Sequence, residues 1–238
     1  MAKAMKEHKV LYLLMVPGLL YFVLFRYLPM FGLVIAFKDY NIFKGIWASD
    51  WVGLANFEAL VHSSDFWNVM KNTLVISLTK ILIGFPIPIL LAILLNDIKS
   101  MRFKRVTQTF LYLPHFLSWV VIGGIMLNLF SPVFGLAGEV FRTLGIEPVN
   151  IMAKKGSIFW VVIFSDVWKE AGWSTIVFLA ALTQVDESLY EAAKMDGANK
   201  FKQMLHITLP CISSIVIVML ILRIGKVMNA GFEQILVL

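Results

Sequence analysis

Charge is what this chain of 238 residues has little of: 15% of them are Asp, Glu, Lys or Arg, against 59% hydrophobic. A soluble domain averages about 25% charged residues. So small a polar fraction excludes a water-soluble globule, because no soluble core could hide that much apolar surface. The chain reads instead as a polytopic, all-α membrane protein. Cysteine is nearly missing as well. The single Cys211, next to Pro210 at the start of an apolar run, excludes an intrachain disulfide and a cysteine-cluster metal site. His8, His62, His115 and His206 are scattered without ligand spacing, so no metal centre is expected. A motor motif is lacking too. Gly225-Lys226 is followed by Val227, without the upstream glycine or the hydroxyl of a phosphate-binding loop. There is no G-x-S-x-G, no H-E-x-x-H and no carboxylate pairing suited to hydrolysis. The chain is not expected to be an enzyme, and no cofactor of its own is expected. Its energy must come from a partner.

What the chain has is long apolar runs, and about 20 apolar residues suffice to cross a bilayer. The first crossing reads as Val10–Leu28, with a bend at Pro29 and a piece, Met30–Phe37, that either extends the span or lies at the interface. Lys3, Lys6 and Lys9 in front of it resemble the start of a signal peptide. No small-residue cleavage site follows, so the segment is read as a retained helix. A polar connection from Lys38 to Lys71 carries Trp47, Trp51 and Trp67, side chains that favour the membrane–water boundary. Four more spans follow: Asn72–Leu95, bent by Pro86 and Pro88, then Thr109–Phe130, Ser157–Leu182 and Pro210–Val227. Phe134–Leu144 reads as a short surface helix between them.

Lys and Arg are dense at the N-terminus, in 96–108 (Lys99, Arg102, Lys104, Arg105) and in 183–209 (Lys194, Lys200, Lys202). They are sparser on the other side, over longer connections (Arg26, Lys38, Lys44, Lys71, Arg142, Lys154, Lys155). The bias places the N-terminus and the 183–209 loop in the cytoplasm.

Two polar features interrupt the apolar pattern. In the fourth span Asp166, Lys169, Glu170 and Trp173 fall at i, i+3, i+4 and i+7, one face of a helix near mid-membrane. Charged groups that bind hydroxyls, next to an indole that stacks on sugar C–H faces, suit a sugar pathway. The competing reading is an Asp166–Lys169 ion pair that fixes packing. Asn128, in the third span, is a further pathway candidate. Trp168 is a weaker one, off that face, and Lys80 and Arg223 are read singly as packing or snorkelling groups.

The second feature is the loop itself, DESLYEAAKMDGANKFKQMLHITLP from Asp186 to Pro210. Ser188 and Glu191 have capping-box spacing, which predicts a short helix from Leu189 through Met195. Asp196-Gly197 supplies the stop, because glycine tolerates the left-handed conformation. Asn199 can cap a second helix carrying Phe201, Met204, Leu205 and Ile207, ending at Pro210.

Glu191-Ala192-Ala193, then Gly197, then Ile207-x-Leu209-Pro210 resembles the EAA loop of binding-protein-dependent ABC importer permeases. LAALTQVDESLYEAA and DGANKF are similar to the sugar-importer versions of that loop. PMFGLVIAFKDYN and WVGLANF are similar to the opening of permeases for large oligosaccharides.

The resemblance implies a type I permease fold filling 1–238, with five spans visible, a sixth missing, and a cytoplasmic coupling loop at 183–209. It implies a multi-pass protein of the bacterial cytoplasmic membrane that moves oligosaccharides delivered by an extracytoplasmic solute-binding lipoprotein. A cytoplasmic ATP-binding subunit dimer would hold ATP and magnesium, and a second, different permease subunit would complete the pathway. No nucleic acid partner is implied. Coupling residues carried over from the motif are Glu191, Ala192, Ala193, Asp196, Gly197, Phe201, Met204, Ile207, Leu209 and Pro210, with Phe201 and Met204 as knobs in the ATPase cleft. Two alternatives stay open: a same-family permease for a different small solute, and a membrane enzyme acting on lipid-linked sugars.

Overall fold

Backbone polar groups that cannot reach water must bond within their own segment, so apolar runs fold as helix. Helix is what most of the described residues, 9–238 of a computed structural model, adopt. The expected cytoplasmic Lys3 and Lys6 lie outside the described residues. Contacts divide the chain into two compact units, one up to Met70 and one from Lys71 to Leu238.

In the first unit, α1 (Lys9–Phe22) continues through a π turn (Val23–Tyr27) and a 3-10 stretch (Leu28–Phe37). The result is one 29-residue apolar helix, with Pro29 in the first turn of the 3-10 stretch, where a missing N–H is tolerated. The span therefore runs on to Phe37. Beyond it, the two sequence words of this region fold onto each other. β1 (Lys38–Asp39) pairs antiparallel with β2 (Asp50–Trp51), enclosing α2 (Gly45–Ala48). Phe37 stacks flat on Trp51 at 5.7 Å and packs at 5.2 Å against Phe57 of α3 (Ala55–His62). The Lys38 ammonium donates to the carbonyls of Ile46 (2.9 Å) and Ser49 (3.2 Å), which closes the loop.

The second unit takes up the chain within α4 (Ser64–Gly84) and follows with α5 (Pro86–Asp97) and α6 (Met101–Tyr112). A 3-10 turn (Leu113–Phe116) leads to α7 (Trp119–Leu129), then α8 (Leu136–Thr143) and α9 (Lys155–Leu182). The elbow is α10 (Glu187–Met195) and α11 (Lys200–Gln203), joined by a π turn (Met204–Thr208) to α12 (Leu209–Ile224). A last 3-10 turn and α13 (Phe232–Val237) close the described chain. The helix α9 is central. Its Phe178, Leu179 and Leu182 pack with Ile89, Ala92 and Leu95 of α5 and Ile212 of α12. Gly172 lets α6 cross it, because a Cβ there would strike the Leu111 carbonyl.

Several expectations need correction. By length and composition, three described helices can cross a membrane: Lys9–Phe37, Ser64–Asp97 and Lys200–Asn229. The expected third span is not one helix. It breaks at Leu117-Ser118, and Met101–Phe116 and Trp119–Leu129 meet at a 103° bend. Pro114 opens the 3-10 turn before the break, and the Ser118 hydroxyl caps the new helix by accepting from the Val121 amide. The expected fourth span is a single 28-residue helix, and three charged residues, Asp166, Lys169 and Glu170, cluster in its middle. The second elbow helix does not end at Pro210. Proline occupies the first turn of α12, so the chain runs on from Lys200 into the last span.

Candidate functional site

The fourth-span face meets partners from three other elements around a cavity of about 540 Å³. Asp166 is the centre. Its Oδ1 lies 3.1 Å from Lys80 Nζ of α4, and its Oδ2 lies 3.3 Å from Arg223 Nη2 of α12. Lys80, 6% exposed, also donates to the Ala230 carbonyl (3.1 Å) and to Gln234 Oε1 (2.5 Å). Gln234 is fully buried, and its amide donates back to Val162 O and Ser165 Oγ of α9. The return of the chain that brings Gln234 there uses left-handed backbone at Ala230 (φ 47°) and Gly231 (φ 81°). A buried charge is tolerable only when paired and hydrogen-bonded, and here both cations share one carboxylate.

The expected Asp166–Lys169 pair therefore does not form. Lys169 reaches instead to the broken span and donates to the His115 carbonyl (2.8 Å) and the Leu117 carbonyl (2.5 Å). It satisfies acceptors that the break removes from the helix ladder. Glu170 Oε2 lies 3.2 Å from His115 Nδ1, and the imidazole stacks on Trp173 at 4.7 Å and 7°. Asn128 is not part of this cavity: its amide donates to the Gly124 carbonyl of its own helix at 2.8 Å. Trp168 lies on a separate apolar groove with Trp160 and Phe164. Two cavity residues escaped sequence reasoning as a group, Lys80 and Arg223, because each looked single. A third is Ser77, whose buried hydroxyl has no hydrogen-bond partner among the described residues and lines the cavity.

The elbow is built by local capping. The cap of α10 is Asp186 rather than Ser188, and its carboxylate accepts from the Ser188 amide at 2.9 Å. That backbone amide, and secondarily the Ser188 hydroxyl, holds the Asp186 carboxyl below its usual range. The helix thus starts at Glu187, and Glu191 is left exposed and free of a capping duty. At the other end Ala198 N donates to Ala193 O (2.9 Å) and Gly197 N to Lys194 O (3.1 Å). This is the Schellman pattern, with Gly197 at φ 76° as the left-handed residue. Ala192 takes the Asp196 amide. Asn199 caps α11 by accepting from the Lys202 amide at 2.9 Å.

Three contacts lock the elbow shape. Tyr190 OH and Thr208 Oγ1 are 3.0 Å apart, Gln203 Nε2 donates to Ala198 O at 2.9 Å, and Lys200 Nζ meets Asp97 Oδ1 of α5 at 2.7 Å. Of the expected knobs, Phe201 projects (65% exposed), but Met204 is half-buried, facing a groove beneath α10. The other projecting side chain is Met195, 88% exposed, which sequence reasoning placed inside the helix without a role. Ile207 and Leu209 are half-buried, Leu209 against the core, while Pro210 is exposed.

Residues 84–238 match the family described as binding-protein-dependent transport system inner membrane component. Protein LplB of Bacillus subtilis (strain 168) is 46% identical over 98% of this chain and 73% of its own length. The polygalacturonan/rhamnogalacturonan transport system permease protein YteP of the same organism is 47% identical over 98% of this chain and 72% of its own length. A crystal structure of a bacterial ABC transporter that imports the acidic polysaccharide alginate superposes with a TM-score of 0.90 at 36% identity, covering 99% of this chain and 79% of that one. A second structure holds that transporter in complex with an alginate pentasaccharide-bound periplasmic protein, at the same TM-score and over 78% of its chain. With about two thirds of its length in the family match and nearly all of it shared with import permeases, this multi-pass chain belongs to the family of inner-membrane components of binding-protein-dependent transport systems: a transport subunit, not an enzyme.

Proposed function

We propose that this permease carries oligosaccharides, handed over by an extracytoplasmic solute-binding protein, through the cavity around Asp166 and Trp173. The observation that carries the reading is that cavity. It holds an aromatic pair (Trp173 and His115), an unpartnered hydroxyl (Ser77) and clustered charges within one membrane-spanning unit. Sugars need both chemistries, apolar C–H faces against a ring and hydroxyls against polar groups. The names of the relatives, for polygalacturonan/rhamnogalacturonan and for alginate, favour chains that bear carboxylates. An excess of lysine and arginine over carboxylate at the cavity wall (Lys80, Arg223 and Lys226 against Asp166 and Glu170) fits the same class.

The 183–209 elbow couples the spans to a separate ATPase dimer, which binds ATP and magnesium. A second permease subunit completes the pathway, and the N-terminus lies in the cytoplasm with the elbow. ATP-driven closure of the dimer draws the elbows together and rocks the spans open outward. Glu191, Met195 and Phe201 meet the ATPase surface, and Gly197 sets the elbow angle.

The test is ATPase activity of the reconstituted importer with receptor loaded by acidic, neutral or no oligosaccharide. Stimulation by the loaded receptor, lost in Gly197→Val at equal expression, is the expected result. Stimulation only by a small non-sugar solute would overturn the substrate reading. Normal coupling in Gly197→Val would overturn the elbow.

A further inference from the structure

The amphipathic start of α6 has no role in the cavity or the elbow. Ser100 caps it by accepting from the Phe103 amide, and Lys99, Arg102, Lys104 and Arg105 crowd its first turns. None of these four is ion-paired or hydrogen-bonded through its side chain among the described residues. On the same helix Phe103, Val106 and Phe110, at i, i+3 and i+7, stand 61%, 54% and 71% exposed. Successive residues on a helix turn by about 100°, so Arg102 lies beside this apolar stripe and Arg105 about 60° further round, on the same exposed side. The half-buried face is the one with Lys104, Gln108 and Leu111. The helix then runs without a break into the bent span at Phe116.

We infer that the first turns of α6 form a docking surface for anionic phospholipid headgroups, with Arg102 and Arg105 on the phosphates and Phe103, Val106 and Phe110 among the acyl chains. A water-facing surface would not expose two phenylalanines and a valine in register. A purely acyl-facing one would not carry two exposed arginines without an ion-pair partner among the described residues. Only the boundary between headgroup and hydrocarbon satisfies both, and cations beside an apolar stripe are what hold such a helix at an anionic surface. The lipid would then anchor the bend whose far side carries His115 and Leu117, the acceptors of Lys169. This inference does not depend on which solute is carried.

Native mass spectrometry of the delipidated importer complex, titrated with phosphatidylglycerol or phosphatidylcholine, tests it. Wild type is expected to prefer phosphatidylglycerol, and Arg102→Gln with Arg105→Gln to lower that preference by roughly tenfold. Arg102→Lys with Arg105→Lys should keep most of it, which separates charge from misfolding. Lys154→Gln, an exposed cation elsewhere, should change nothing. An unchanged lipid ratio in the double glutamine variant overturns the assignment, and so does an equal loss in Lys154→Gln. Loss of the ATPase subunits with lipid binding intact would make α6 a protein interface instead.

Discussion

Asp166 holds two cations at once, Lys80 and Arg223. Removing its carboxylate leaves Lys80 and Arg223 facing each other in a site where Lys80 is almost wholly enclosed. Breaking a buried pair from one side costs about 3–5 kcal/mol, far more than the pair itself contributes. Asp166→Ala should therefore lower the thermal unfolding midpoint in detergent well beyond Lys200→Ala, whose surface pair with Asp97 is worth about 0–1 kcal/mol. Equal midpoints for the two variants would show that water or lipid already screens the cavity charges. Ser77 makes the opposite case. Its hydroxyl is buried without a partner among the described residues, so Ser77→Ala should keep or raise stability while weakening sugar-stimulated ATPase activity. A variant with unaltered stimulation would remove Ser77 from the solute path.

At the scale of elements, the elbow is the part most nearly written in local sequence. Gly197 had to be left-handed, and it is. A β-branched side chain at φ 76° is strained whatever space surrounds it. Gly197→Asn should retain more receptor-stimulated activity than Gly197→Val, because asparagine enters the left-handed region more readily. Identical defects in the two would mean that side-chain bulk, not backbone angle, is what the ATPase rejects. The cap was misread for a local reason. Asp186 and Ser188 both have N-cap chemistry, and sequence alone does not say which side chain bends back first. The bent third span is the other local miss. Pro114 was visible, but a proline in a membrane helix can kink or break it. The outcome depended on whether another element could satisfy the freed carbonyls, and Lys169 does.

For the whole molecule, the proposed function lies in assembly with an ATPase and a second permease subunit. Met195 and Phe201 are the apolar side chains that protrude most from the elbow, where an isolated protein would hide them. Met195→Ser with Phe201→Ser should reduce co-purification of the ATPase severalfold and leave the unfolding midpoint of the permease unchanged, since neither is packed. Full retention of the ATPase would move the interface to the groove beneath α10, around Glu187 and Lys194.

Composition and the spacing from Glu191 to Pro210 were enough to determine that this chain spans a membrane, shows no phosphate-binding loop in its 238 residues and carries a helix–glycine–helix elbow. Those properties rest on hydrophobicity, on missing motifs and on interactions between residues a few positions apart. The shared face of Asp166, Lys169, Glu170 and Trp173 was equally legible, because helical periodicity places those residues together. Their partners were not. Lys80, His115, Leu117, Arg223 and Gln234 come from separate helices and turns, and each alone is indistinguishable from a packing or snorkelling group. Only the tertiary structure decided that Lys169 caps a broken span while Asp166 binds two cations. In a low-dielectric interior every charge and freed carbonyl must find a partner, and which partner is within reach depends on packing rather than on distance along the chain.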